Sequence, residues 1–526
     1  MVLTCQLLHL TICHINFARC YFLLCPYLNL LFIPLLPHSF NHLIMEAISN
    51  NLPLPHAILP HPFSLLANHL LSKLSIFLWP FIFSLQTFLL LQNSKLMFHF
   101  VLLCFLLLCF LLKHFLSKPS PIYLVDFSCL KPPSHCRVPF ATFIENASMW
   151  EVFDTESIAF MDKILHSSGQ SEETCLPPAL HYIPPKTHHT ESIKEVQMVL
   201  FPILDDLLAK TNVSPLDIDI LMINCSGFCP SPSLTSLVIG KYSMRSDIKS
   251  YNVSGMGCSA SALCIDMAQN LLRVHKNSNA LLLSTEILST GWYSGNEKSK
   301  LLINCLFRMG SAAILLSNKK AANKTAKYRL VRTRRAQRAF DDKAYFSAFR
   351  EEDSDGKLGV TLKRDLLNVA GETLRANISI LGCDILPLSE KFRCGVSVIK
   401  KKFLKSDQTY VPNFKTVIQH FCLPCSGRPV IREIGKGLKL SERDIEPALM
   451  TLHRFGNQSS SSLWYELAYL EAKERVHKGD KVWLLGMGSG PKCNSVVFQC
   501  ISPIVGEYKK GPWADCIHQY PIITMD

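Results

Sequence analysis

LLRVHKNSNALLLSTE at residues 271–286 and AKERVHKGDKVWLLGMG at residues 472–488 carry one shared phrase: RVHK, three residues, then a continuous apolar run. An amphipathic stretch of helical period precedes each, CSASALCIDMAQNLLRVHK from Cys258 and SSSSLWYELAYLEAKERVHK from Ser459. Helix, turn and an unbroken apolar strand (ALLLST; VWLLGMG) form the pattern of a strand covered on both faces in an α/β layer, since a half-exposed strand would alternate polar and apolar. A second echo joins SPLDIDILMI at 214–223 to SERDIEPALM at 441–450. Two such halves predict a duplicated α/β domain packed about a pseudo-twofold axis.

Each long helix begins just after a glycine-bearing turn, YNVSGMGCSAS in the first half and HRFGNQSSSS in the second. Cys258 and Asn457 therefore hold similar helix-start positions, and the pseudo-twofold brings both to the centre. At a helix N-terminus the unpaired N–H groups stabilise an anion, so Cys258 is predicted to have a lowered pKa and to be a thiolate nucleophile. Gly255 and Gly257 supply the tight turn. The competing reading is a buried core cysteine, the commoner fate of the residue type.

The chain has 526 residues, 54 Lys and Arg against 41 Asp and Glu for a net charge of +13, and 48% hydrophobic against 18% charged residues, which excludes a disordered chain. The apolar excess is concentrated in front. Residues 74–94 and 96–112, bracketed by Lys73, Lys95 and Lys113, hold no charge and approach the length that crosses a bilayer as a helix. They predict a transmembrane hairpin over 74–117. The alternative is one span with a re-entrant piece, because Pro80 sits in mid-segment. Lys113 and Lys118 follow directly and place the large C-terminal part on the cytosolic side. Residues 1–44 are a doubtful apolar extension rich in Cys, His and Pro, Met45 offers another start, and 45–73 read as a linker. The basic residues are scattered among acids, which argues against a nucleic-acid partner. Twenty-one cysteines in such a chain read as free thiols. The Asn-x-Ser/Thr triplets at Asn146, Asn212, Asn224, Asn252 and Asn377 would be unused on that side.

The runs SYNVSGMGCSASALCIDMAQNLL, LLLSTEILSTGWYSGNEKSKLLINCLFRMGSAAILLSN, TLHRFGNQSSSSLWYELAYLEAKERV and GSGPKCNSVVF, with PIYLVDFSCLKPPSHCRVPFATF at 121–143 and LPPALHYIPP at 176–185, resemble the plant 3-ketoacyl-CoA synthases, the membrane-bound condensing enzymes of very-long-chain fatty acid elongation. The resemblance covers about residues 121–505. It implies a thiolase-like fold of α/β/α/β/α layers, with halves at 121–325 and 326–526, behind N-terminal transmembrane helices. It also implies a reaction. Cys258 takes the acyl group of a long-chain acyl-CoA as a thioester; a His and an Asn then assist decarboxylation of malonyl-CoA, whose carbanion attacks that thioester. Asn457, in HRFGN, matches the Asn that donates to the enolate oxygen, and His420 and His453 match further family histidines and complete the candidate catalytic set. Gly257, Gly488 and Gly490 are the candidate substrate-binding positions, the last two through backbone N–H groups of the GMGSG turn. The neutral reading of His453 is a packing residue, and of GMGSG an ordinary turn.

The sequence departs from the family at two places. Members read approximately HFCIHAGGRAV where this chain reads HFCLPCSGRPV from His420, so the catalytic His position is Pro424. A His is also usual where Arg334 stands in RTRRAQRAFDDK, and extra residues come after it. Proline has no proton to exchange. Three readings are open: an active elongase synthase, a degenerate paralogue acting as a structural partner, and a thiol acyltransferase that does not condense. The chemistry requires no metal and no redox cofactor. Cys422 and Cys425 are a lone CxxC, a weak signal for zinc or redox chemistry. The basic KKKF at 400–403 reads as a solvated or membrane-facing surface. The resemblance further implies a homodimer, elongase reductase and dehydratase partners, and the endoplasmic reticulum membrane. Acyl chain length depends on tunnel depth and is not legible here.

Overall fold

The computed structural model describes residues 100–108, 110, 120–363, 365–404 and 410–522. The extension at 1–44, the linker at 45–73 and most of the predicted hairpin at 74–117 lie outside them. Residues 100–108 are helical, and among the described residues no helix is long and apolar enough to cross a membrane.

The described residues form the strands β1 (Tyr123–Cys129), β2 (Ile220–Asn224), β3 (Lys249–Val253), β4 (Asn279–Thr285), β5 (Ser311–Ser317), β6 (Tyr328–Gln337), β7 (Ala348–Glu352), β8 (Leu358–Leu362), β9 (His420–Cys422), β10 (Lys481–Gly488) and β11 (Lys492–Cys500). The principal helices are α1 (Phe140–Met149), α2 (Thr155–Ser167), α3 (His189–Thr211), α4 (Leu234–Tyr242), α5 (Ala260–Val274), α6 (Lys298–Leu306), α7 (Leu366–Ile385), α8 (Leu388–Leu404), α9 (Arg428–Leu438), α10 (Glu442–Phe455) and α11 (Ser462–Ala472). One mixed sheet has the strand order β3-β2-β4-β5-β1-β6-β11-β10-β9, while β7 and β8 make a separate hairpin.

The order contains the duplication. In the first half β2 runs parallel to β4, β4 antiparallel to β5 and β5 antiparallel to β1. In the second, β9 runs parallel to β10, β10 antiparallel to β11 and β11 antiparallel to β6. The halves meet at β1 and β6, which share only the pairs Tyr123↔Arg329 and Leu124↔Tyr328.

Side-chain alternation along the strands then sets the layers. On β4, Ala280 and Leu282 face a core shared by both halves, while Leu281 and Leu283 face a core of the first half alone. On β10, Val482 and Leu484 face the shared core, and Trp483 and Leu485 a core belonging to the second half. The shared core contains α5 and α11, the helices of the repeat. They form the middle layer of an α/β/α/β/α stack. This explains their composition: α11 buries every residue except Ala468, as a helix enclosed on all sides must. Small side chains at its start let the layers close, with Ser460 Oγ accepting from Asn224 Nδ2 at 2.8 Å and Ser461 Oγ donating to the Ser284 carbonyl at 2.8 Å.

The echo of 214–223 in 441–450 is corrected by the structure. The first segment is a short 3-10 turn leading into β2, and the second is the start of α10. Their common element is a Ser-x-x-Asp capping box, Ser214 with Asp217 and Ser441 with Asp444. The box satisfies orphan N–H groups equally well at the two sites and carries no information on the next element of the chain.

Candidate active site

Cys258 is the centre of a 3-10 turn, Gly257–Ser259, that leads into α5. Gly255 and Gly257 take φ of +68° and +56°, a conformation glycine adopts without steric cost. Gly257 also has no room for a side chain: a Cβ there would lie 2.8 Å from the Ser489 nitrogen. From the opposite side, a Cβ on Gly488 would lie 2.3 Å from the Met256 carbonyl oxygen. The cysteine turn of the first half and the β10–β11 turn of the second therefore interlock backbone to backbone. Gly257 and Gly488 serve that approach. Gly490, with φ +61°, would bring a Cβ only against the mobile end of Lys492.

Two arms hold the cysteine. On one side the Gly257 N–H donates to Ser226 Oγ at 2.9 Å, and the Ser226 and Gly227 N–H groups donate to the Glu286 carboxylate at 3.0 and 2.6 Å. Glu286 comes directly after β4, and burial raises its pKa against the lowering effect of those N–H groups. On the other side Ser459 Oγ donates to Cys258 Sγ at 3.4 Å, and the Ser459 N–H donates to Asn457 Oδ1 at 2.8 Å. Asn457 is itself clamped by the 306–308 segment, its N–H donating to the Leu306 carbonyl and its carbonyl accepting from Arg308 N–H. The structure thus brings Cys258 and Asn457 together through Ser459. Their helix-start positions are offset: the turn Gly257–Ser259 corresponds to Ser459–Ser461, which pairs Cys258 with Ser460 and sets Asn457 three residues earlier.

The predicted lowering of the Cys258 pKa is overturned. Burial pushes the thiol up to about 11; Ser459 acts against that rise and the Glu286 carboxylate adds to it.

Position 424, where the resemblance implies an imidazole, has a definite place. β9 runs parallel to β10 with Cys422 beside Leu484, which puts Pro424 level with Gly486. A Cβ on Gly486 would lie 3.2 Å from Ser259 Cα and 3.5 Å from the Cys258 carbonyl oxygen, so position 424, two residues past the end of β9, lies at the height of the cysteine turn. Pro424 is buried there. Its neighbours are fixed by Glu466 of α11, which accepts from the Leu423 N–H at 2.7 Å and from Cys425 Sγ at 3.2 Å.

The two candidate histidines lie elsewhere. His420 is level with Val482, four residues back along the strand and so about 13 Å from the height of Gly486. Its Nε2 pairs with Asp480 at 3.0 Å, and burial lowers its pKa. His453 on α10 places Nδ1 3.1 Å from the Tyr520 hydroxyl and packs edge-on against that ring. Arg334 places Nε 2.5 Å from Asp384, and the residues after it extend β6 to Gln337 along β11. Cys422 lies in the shared core, and Cys425 donates to Glu466. Sequence reasoning missed Glu286, Ser226 and Ser459. Only Glu286 left a signal, as a carboxylate directly after a seven-residue buried strand.

Residues 114–403 match the family model of FAE1/Type III polyketide synthase-like proteins, and residues 415–500 that of the 3-oxoacyl-[acyl-carrier-protein] synthase III C terminal. The 3-ketoacyl-CoA synthase 6 of Arabidopsis thaliana is 50% identical over 412 residues, 78% of this chain and 83% of that one. The 3-ketoacyl-CoA synthase 5 of the same plant is 49% identical over 412 residues, 78% of this chain and 84% of that one. Among solved structures, a fungal type III polyketide synthase superposes with a TM-score of 0.57 at 15% identity over 72% of this chain and 99% of its own. PKS-I of the brown alga Ectocarpus siliculosus superposes with a TM-score of 0.56 at 15% identity over 73% and 100%. The fold is that of the thiolase-like condensing enzymes, built around a cysteine at the start of the first central helix. The chain belongs to the 3-ketoacyl-CoA synthase family and is an acyltransferase of the condensing type.

Proposed function

We propose that this chain is a very-long-chain 3-oxoacyl-CoA synthase working through an acyl-Cys258 thioester. The observation that carries the reading is the convergence on one sulfur of a turn from the first half and Ser459 with Asn457 from the second. Cys258 Sγ attacks the carbonyl carbon of a long-chain acyl-CoA; the new C–S bond replaces the bond to coenzyme A, which leaves carrying the thiol proton. Malonyl-CoA then loses CO2, and its carbanion attacks the thioester carbon. The Cys258 C–S bond breaks, and a 3-ketoacyl-CoA longer by two carbons is released. The Asn457 amide uses its oxygen on Ser459, which leaves its Nδ2 donors for the enolate oxygen. The reaction needs neither metal nor redox cofactor, since decarboxylation drives the new bond.

A second reading rests on Pro424. With proline where the acid/base belongs and a thiol at about 11, acylation is slow at neutral pH and decarboxylation lacks one of its two donors. Such a chain would serve as a structural partner of an active synthase. In either role we place the protein in the endoplasmic reticulum membrane with its catalytic part facing the cytosol, as a homodimer beside the elongase reductase and dehydratase. Incorporation of labelled malonyl-CoA by microsomes carrying the chain, beside Cys258→Ala, tests the first reading. Product that vanishes in Cys258→Ala supports it; absence of product from intact, folded protein overturns it for the second.

A further inference from the structure

At the opposite end of β9 from Pro424 a cleft of about 450 Å³ opens between the N-terminal end of α10, the C-terminal end of α11 and the turn into β10. Its lining includes His420, Arg443, Lys473, Arg475 and His477, against an apolar wall containing Phe421. We propose that this cleft is a binding site for a phosphate-bearing ligand, separate from the acyl-transfer site.

Most acids around the cleft are already engaged, Glu474 being the exception, and the cations are not fully matched. Asp480 holds His420 and accepts from the His477 N–H at 2.9 Å. Asp444 pairs with Lys415 at 2.6 Å and caps Ser441, while Glu446 accepts from the Tyr469 hydroxyl and from Arg475 Nη2. Among the described residues the Glu474 carboxylate accepts from the Gly506 N–H at 3.4 Å and forms no ion pair. Arg475 keeps a buried Nη1 with no hydrogen-bond partner among the described residues. Lys473 donates to the Tyr520 carbonyl, a neutral acceptor. Arg443 is exposed on the first turn of α10. Burial and the nearby Arg475 guanidinium hold the Lys473 ammonium below its usual range, against the opposing effect of the Glu446 carboxylate, so two cations stand close together at the cleft. A multiply charged oxyanion offers several acceptors to the cations that line the cleft, whereas a single carboxylate matches one fork. The cleft lies level with Val482, and the cysteine turn meets Gly486 and Gly488, so the two sites occupy opposite ends of one strand. α10 connects them, running from Arg443 to Phe455, two residues before Asn457.

Inorganic pyrophosphate is the probe, titrated by calorimetry into the full chain in detergent. Saturable binding is expected, unchanged in Cys258→Ala and weakened roughly tenfold in Arg443→Glu and in Lys473→Gln. Arg443 is exposed, so its variant keeps the wild-type melting temperature, and Lys473→Gln gives an independent second reading. Binding that fails to saturate, or that survives both substitutions, overturns the proposal; binding lost in Cys258→Ala would relocate it to the acyl-transfer site and overturn it equally. Competition by adenosine diphosphate, or by nanodiscs containing phosphatidic acid but not by phosphatidylcholine alone, distinguishes a soluble phosphate ester from a lipid headgroup. The inference does not depend on condensing activity, so its failure and that of the proposed function are distinct.

Discussion

The N-terminal turns of α5 and α11 are copies of one design put to different uses. Both are 3-10 turns at the core of the molecule, and both helices lead through the RVHK phrase into a buried strand. In the first copy the centre of the turn is Cys258, half-buried and bonded by a hydroxyl from the other copy. In the second it is Ser460, fully enclosed and bonded to Asn224 and Ser284. Duplication supplied two equivalent helix starts; one carries the cysteine proposed as the reactive group and the other reaches it through Ser459. The cysteine is thus bonded by a hydroxyl about 200 positions away in the chain, besides the arm from Ser226 and Glu286 in its own half.

The largest effect expected from testing this division is at position 424. Pro424→His restores an imidazole at the height of the nucleophile turn, and product formation in the labelled malonyl-CoA assay should rise by about 10²–10⁴. An unchanged rate would mean that the paired helix starts suffice without it. Next come the glycines of the interlock. Gly488→Ala puts a methyl group against the Met256 carbonyl and should lower stability by about 3 kcal/mol or more, read as a fall in thermal midpoint. Gly490→Ala meets only a flexible lysine and incurs about 1 kcal/mol of left-handed backbone strain. Equal losses would show that the contact between the copies is not tight. Ser459→Ala removes the hydroxyl that lowers the Cys258 pKa, so the pH profile of iodoacetamide alkylation at Cys258 should move upward from about 11. A downward move would mean that the hydroxyl opposes the thiolate.

The smallest effect concerns His453, which the structure sets against Tyr520. Burial and the nearby Arg428 and Arg454 depress its pKa below 6.5 in the folded state. The unfolded chain therefore takes up the proton first as pH falls, and stability declines below about pH 6.5. His453→Gln should flatten that part of the stability profile while leaving stability at pH 8 within about 1 kcal/mol, as followed by urea unfolding.

The fold was legible because its two copies still share a phrase, and because a strand covered on both faces must be apolar throughout. The capping boxes at Ser214 and Ser441 show the limit of that method: a four-residue signal fixes a helix start or a turn and nothing beyond it. The site was half legible. Cys258 and Asn457 stand in turns that can be read locally, but the pKa of the thiol is set by burial and by Glu286 and Ser459, which reach it from other elements. His420 failed for a related reason. Four positions in sequence are indistinct on paper, yet on an extended strand they separate opposite ends of a layer.

The middle layer has a consequence for synthesis of the chain. α5 is made long before α11, which must arrive to cover it, and the intervening stretch from Val274 to Ser462 takes a ribosome roughly 10–40 s to translate. During that interval the first half presents Leu263, Ile265 and Leu272 with no partner from the second half. A nascent chain in that state is a substrate for chaperones, and a truncation anywhere within the interval is expected to yield aggregate where a separable domain would have folded.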